Sequence, residues 1–237
     1  MIVGIIPARG DSTGVPLKNS RLLGGKTLVE RCVKTALQST HLSKVFVSTN
    51  SEDIGKLGLA AGATVIRHPS DLSTPTSPTA PVIAWAVNHL EAKGLQIEIV
   101  AIMRATTPFI SAIDIDTALG LLIKTPRADS IVSVTDAKTH PVRLKRISEE
   151  GWLRDAFEAE GRRPRRRQEL ERLYTRNGGI YAARRGVISS SSMWGEHCLA
   201  YLMPEERSVN INTEFDLKIA QLLADDVDKL NSADGMG

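Results

Sequence analysis

Arg9, Gly10, Gly14 and Lys18 follow directly on a short apolar run, residues 2–6. Glycines let a main chain pass close to a ligand, and a guanidinium and an ammonium can hold phosphate oxygens. A buried first strand running straight into such a loop is how many α/β proteins bind a nucleotide. The chemistry on offer is phosphate binding, with Arg9 and Lys18 as the cations. Taken singly, either could be surface charge, but their place beside two glycines at a strand's carboxyl end favours the phosphate. Two standard phosphate motifs are excluded. No Gly-x-Gly-x-x-Gly follows the first strand, and Gly25-Lys26-Thr27 lacks the partner glycine of a P-loop, because Ser20 stands there. Gly24-Gly25-Lys26-Thr27 therefore reads as a turn followed by a helix cap.

Positioning such a loop takes a sheet. Strand patterns fall at residues 2–6, 45–48, 64–66, 97–103 and 130–134, and helical spacing of apolar residues at 28–39, 53–61, 81–92 and 113–124. Ser51 precedes the second helix as an N-cap, and Ser111 with Asp114 makes a capping box ahead of the fourth. Strand–helix alternation implies right-handed crossovers and a mainly parallel sheet covered on both faces. After Asp136 the pattern breaks, and residues 138–176 are polar and basic. Strands resume at 179–183, 199–203 and 209–211, a helix at 215–230 is capped by Thr213, and 231–237 reads as a frayed tail. The chain is expected to be one domain, residues 1–237, with an excursion inserted before its last strands.

Bulk properties exclude more than they assign. The chain has 237 residues, 42% hydrophobic and 24% charged, which is ordinary for a globular protein. A formal net charge of +3 is too small to argue for nucleic acid or a membrane surface as partner. Arg162, Arg163, Arg165, Arg166 and Arg167 are the local exception, reading either as a solvated loop or as a cationic arm for phosphates or carboxylates. Cys32 and Cys198 have no metal-ligand spacing and read as small core residues. No signal peptide is recognisable and no apolar run reaches the ~20 residues of a membrane span, so a cytoplasmic location is expected.

The opening segment, Ile5-Ile6-Pro7-Ala8-Arg9-Gly10-Asp11-Ser12-Thr13-Gly14-Val15-Pro16-Leu17-Lys18-Asn19, closely resembles the first motif of the acylneuraminate cytidylyltransferases, the CMP-sialic acid synthetase group. Val47 to Asn50 is similar to that family's second strand end, Arg67 with Pro69 and Leu72 to its Arg-Pro-x-x-Leu segment, and Ala105 to Pro108 to its Pro-Thr-Ser-Pro turn. Asp136 to Pro141 resembles the entry to its dimer arm, Arg167-Gln168 with Asn177 to Tyr181 the exit, and Ser208 to Leu217 its final motif. The resemblance implies a three-layer Rossmann-like α/β nucleotidyltransferase that forms a homodimer through an inserted arm, residues 138–176. It implies transfer of CMP from CTP to a sugar acid with release of pyrophosphate, usually with magnesium. Arg9 and Lys18 would be catalytic. Ala8, Gly10, Ser12, Thr13, Asn19, Arg67, Arg104 and Thr106 would bind the nucleotide, and His140, Arg167, Gln168 and Asn177 the sugar acid.

The chain departs from the family pattern where charge matters. Thr13 replaces a lysine, and the two acidic metal-binding positions are Asn210 and Asn212. Asparagine offers a hard cation only a neutral oxygen. Arg104 stands in place of a glutamine that helps read the base, and a guanidinium offers donors only. It could favour another base or hold a phosphate, or simply pair with a carboxylate. Asp11 is a candidate replacement ligand, and Asp216 reads as the cap of the last helix. Three readings follow: a CTP-dependent transferase, the same fold with another nucleotide or a non-sialic acid substrate, or a non-catalytic nucleotide-binding homologue.

Overall fold

Apolar residues point to both sides of β1 (Ile2–Pro7): Val3 and Ile5 pack into one buried cluster, Ile6 into another. A strand buried on both faces belongs inside a parallel sheet covered by helices. The computed structural model describes residues 1–11, 14–74, 77–157 and 170–234. After β1 come β2 (Leu22–Leu23), β3 (Lys26–Thr27), α1 (Leu28–Leu37), β4 (Lys44–Thr49), α2 (Glu52–Ala60), β5 (Thr64–Arg67) and α3 (Thr79–Ala92). Then follow β6 (Ile99–Met103), α4 (Ala112–Lys124), β7 (Ser130–Asp136), β8 (Lys145–Ile147), β9 (Leu153–Asp155), β10 (Tyr174–Arg184), β11 (Cys198–Leu202) and α5 (Glu214–Asp234).

Among the described residues, seven strands form one sheet in the order β11-β7-β10-β6-β1-β4-β5, with only β10 antiparallel to its neighbours. Residues of α1, α2, α4 and α5 fill the cluster on one face, while α3 supplies the cluster on the other. This is the mainly parallel, three-layer α/β arrangement the alternation implied. No described helix is long and apolar enough to cross a membrane.

The helix starts follow their local chemistry. Ser51 accepts from Ile54 N–H, and Ser111 with Asp114 closes a capping box. Thr213 and Asp216 cap α5 reciprocally: Asp216 Oδ2 accepts from Thr213 N–H at 2.8 Å, and Thr213 Oγ1 from Asp216 N–H at 3.2 Å. Gly24 and Gly25, at φ 57° and 73°, form the tight turn of the β2–β3 hairpin, and Thr27 then caps α1.

Several expectations need correction. Residues 209–211 form no strand: Ile211 N–H bonds Thr106 O at 2.7 Å and its carbonyl takes Lys18 Nζ at 2.8 Å, so the segment crosses the sheet's carboxyl edge instead of pairing. Cys198 is exposed, because it opens the edge strand β11, whereas Cys32 is in the core with its thiol pushed up to about 12 by burial. Helix α5 continues to Asp234, into the stretch read as a tail. Between β7 and β10 the basic excursion contains the β8–β9 hairpin. Ser12, Thr13, Arg167, Gln168 and the other arginines of the cluster lie outside the described residues.

Candidate functional site

The carboxyl ends of β1 and β6, the segment after β5 and the start of α3 enclose a cleft of about 200 Å³. This is where open parallel sheets bind ligands. Its wall includes Ala8, Arg9, Lys18, Asn19, His68, Arg104 and Thr106.

The first loop is held from below and behind. Ala8 N–H donates to Ser48 O at 2.9 Å, buried Asn19 donates from Nδ2 to Arg9 O at 2.9 Å, and Gly10 N–H donates to Asn50 Oδ1 at 3.0 Å. Gly14 passes so close to the 208–213 segment that a Cβ there would lie 2.1 Å from Asn212 O. The obstacle is main chain, so a side chain cannot be accommodated by a rotamer change. Gly14→Ala should push the loop off that segment and weaken nucleotide binding about tenfold or more, the loss expected when a charge-assisted contact is misplaced. Calorimetric titration against the native protein checks this, and an unchanged affinity would refute it.

Three cations converge on the cleft. Arg9 donates to Thr74 O at 2.8 Å, and Lys18 to Ile211 O at 2.8 Å. Arg104 is fixed by its main chain, donating N–H to Gly179 O at 3.3 Å and accepting from Thr107 N–H at 3.0 Å. Burial holds the Lys18 ammonium below the usual lysine value, Arg104 and Arg9 push the same way, and Asp216 opposes them.

Sequence reasoning missed His68 and chose its neighbour. Arg67, in β5, reaches over α2, where a Cβ on Gly55 would lie 3.9 Å from its Nη2. His68, just past the strand, turns into the cleft wall and is 5% exposed. Its Nδ1 shares a 2.9 Å hydrogen bond with Ser48 Oγ, and burial lowers its pKa, so the ring is neutral near pH 7. Its Nε2, Ser73 Oγ and Thr106 Oγ1 are buried without a hydrogen-bond partner among the described residues. Buried polar atoms are normally satisfied, and all three of these residues line the cleft. The sequence signal was present: a histidine immediately before Pro69.

Other expected residues lie elsewhere. Asn177 is buried with its amide engaged: Oδ1 accepts from Ser133 Oγ at 2.6 Å and Gly179 N–H at 3.1 Å, while Nδ2 donates to Ser208 Oγ at 2.9 Å. It holds the 208–213 segment in place and leaves nothing for a substrate. His140 is outside the cleft, at a turn where Nδ1 accepts from Val142 N–H at 3.3 Å. Asn210 packs over Gly178 with its Oδ1 buried and without a hydrogen-bond partner among the described residues, and Asn212 is exposed at the start of α5. Asp114 anchors this region from behind. Its carboxylate is fully buried and accepts from Tyr201 OH at 2.8 Å and from Arg207 at 2.9 and 3.1 Å.

A cytidylyltransferase family model matches residues 3–212. N-acylneuraminate cytidylyltransferase A of Danio rerio is 30% identical over 224 residues, 93% of this chain and 50% of that protein. The N-acylneuraminate cytidylyltransferase of Escherichia coli is 29% identical over 92% of this chain and 51% of that protein, so the chain spans about half the length of these relatives. CMP-N,N'-diacetyllegionaminic acid synthase of Legionella pneumophila is 29% identical over 94% of this chain and 95% of its own length. Among solved structures, CMP:2-keto-3-deoxy-manno-octonic acid synthetase complexed with CTP shares the fold, with a TM-score of 0.69 at 19% identity, over 95% of this chain and 99% of that one.

Proposed function

This chain belongs to the cytidylyltransferase family, and we propose that it transfers CMP from CTP to a sugar acid with release of pyrophosphate. The observation that carries this reading is the convergence of Arg9, Lys18 and Arg104 on one cleft at the carboxyl edge of the sheet. In the reaction a hydroxyl oxygen of the acid attacks the α-phosphorus, the bond to the pyrophosphate oxygen breaks, and the hydroxyl proton leaves. Negative charge grows on the departing pyrophosphate, and cations fixed beforehand stabilise it without reorganising.

His68 is positioned to read the base. In the tautomer where the Ser48 hydroxyl donates to Nδ1, Nε2 offers a donor to O2 or N3 of cytosine; in the other, Nε2 is an acceptor for the N4 amine. Ser73 and Thr106 hydroxyls supply flexible partners for the remaining edge. The acid is of the keto-sugar class, which the sialic and legionaminic acid relatives support. Pairing of two chains through the excursion, bringing His140 near a neighbour's cleft, is supported by the exposed Ile147, Trp152, Leu153 and Phe157 on it.

The test is a pyrophosphate-release screen over CTP, UTP, GTP and ATP with a panel of keto-sugar acids. CTP should be preferred, and His68→Ala should erode that preference by about tenfold. A preference for another nucleotide would replace the base assignment, and release with no combination would sink the transferase reading.

A further inference from the structure

A divalent ion held by the protein is implied by the family, but the residues here do not fit one. At the two positions where acidic ligands are expected stand Asn210 and Asn212, and the carbonyl between them, Ile211 O, takes the Lys18 ammonium at 2.8 Å. Asp216 is nearby, but its Oδ2 already accepts from Asn212 N–H, Thr213 N–H and Thr213 Oγ1 at 2.8–2.9 Å. Asn210 offers only a neutral Oδ1, and Asp11 is exposed and off the cleft wall. No cluster of three or more His, Cys, Asp or Glu among the described residues could hold an ion. Hard divalent cations need several oxygens, usually with carboxylates among them, and an ammonium beside the site repels them.

The cleft itself carries the opposite charge. Arg9, Lys18 and Arg104 line it, and no acidic side chain does among the described residues. We propose that these three side chains take the place of a protein-held divalent cation, so that the chain binds a nucleoside triphosphate in its metal-free form. The inference rests on the nucleotide reading above. A bound divalent ion cancels part of the triphosphate's negative charge, so a cleft of fixed cations attracts the bare polyanion more strongly. Arg104 is the distinctive member: its planar fork can bridge two phosphate oxygens. Burial and the two arginines keep the Lys18 ammonium below its usual range, as expected where positive charge is in excess and an anion is due.

Calorimetric titration of the intact chain with CTP, in EDTA and in saturating magnesium at matched ionic strength, tests the inference. The expected result is binding in EDTA at least as tight as in magnesium. Arg104→Gln should weaken the metal-free binding about tenfold or more, and Arg104→Lys should restore part of it. Binding seen only with magnesium, or an Arg104→Gln variant that binds metal-free CTP as tightly as the native chain, overturns the inference and leaves the nucleotide reading standing. No CTP binding under either condition overturns the nucleotide reading and this inference with it.

Discussion

Replacing Lys18 by alanine should cut the rate of pyrophosphate release by about 10²–10³-fold, the usual cost of deleting one fixed group that stabilises charge in the transition state. The ammonium is half-buried and tied to Ile211 O, so it meets phosphate without first being ordered or fully desolvated. The thermal midpoint should change little, because a lysine held below its normal pKa is more strained than stabilising when charged. A pH signature accompanies the loss. Burial, then Arg104 and Arg9, lower the Lys18 pKa from 10.5, so in the free protein its charge is lost at a pH below that value. A bound triphosphate favours the charged form, and affinity should therefore fall as pH rises through the folded-state pKa. That alkaline limb should be absent in Lys18→Ala. A variant retaining native turnover would remove Lys18 from the chemistry.

Asp114→Ala should be the most damaging change to stability, at about 3–5 kcal/mol, because it removes the fully buried carboxylate that the Arg207 guanidinium bonds with two nitrogens. The same carboxylate accepts from Ser111 N–H at 2.9 Å and Ser111 Oγ at 2.8 Å, so the cap of α4 is lost as well. Tyr201 loses its carboxylate acceptor and keeps only Thr117 as a side-chain partner. Urea unfolding reads the loss directly, and a loss below about 1 kcal/mol would show that the cluster can rearrange around water. Because Arg207 adjoins the 208–213 segment, nucleotide affinity should weaken in the variant even under conditions where it is fully folded.

Much of this was legible because the relevant signals are local. Alternating strand and helix patterns, the caps at Ser51, Ser111 and Thr213, and a glycine-rich loop with Arg9 and Lys18 all depend on neighbouring residues. What escaped depends on parity and on distant partners. Arg67 and His68 differ by one position, yet a strand sends successive side chains to opposite faces, and the residue past its end can turn inward. The family resemblance pointed to Arg67, whereas geometry put the imidazole of His68 in the cleft wall. Residues 209–211 carry a strand-like apolar alternation, but their main-chain partners are Thr106 and a lysine side chain. Asn177 was assigned to the substrate by the family resemblance alone; its four partners, Ser133, Gly179, Ser208 and Met203, are not visible in sequence.

The hydrogen bond from Lys18 to Ile211 joins residues 193 apart. It also sets the order in which the protein can become competent during synthesis. The last strand of the sheet ends at Leu202, whereas the carbonyl that holds the ammonium lies beyond it, just before α5. A growing chain therefore finishes its sheet before its cleft, and no product that stops short of residue 211 carries a held cation there. Translation itself withholds the phosphate-handling geometry until residue 211 has been added.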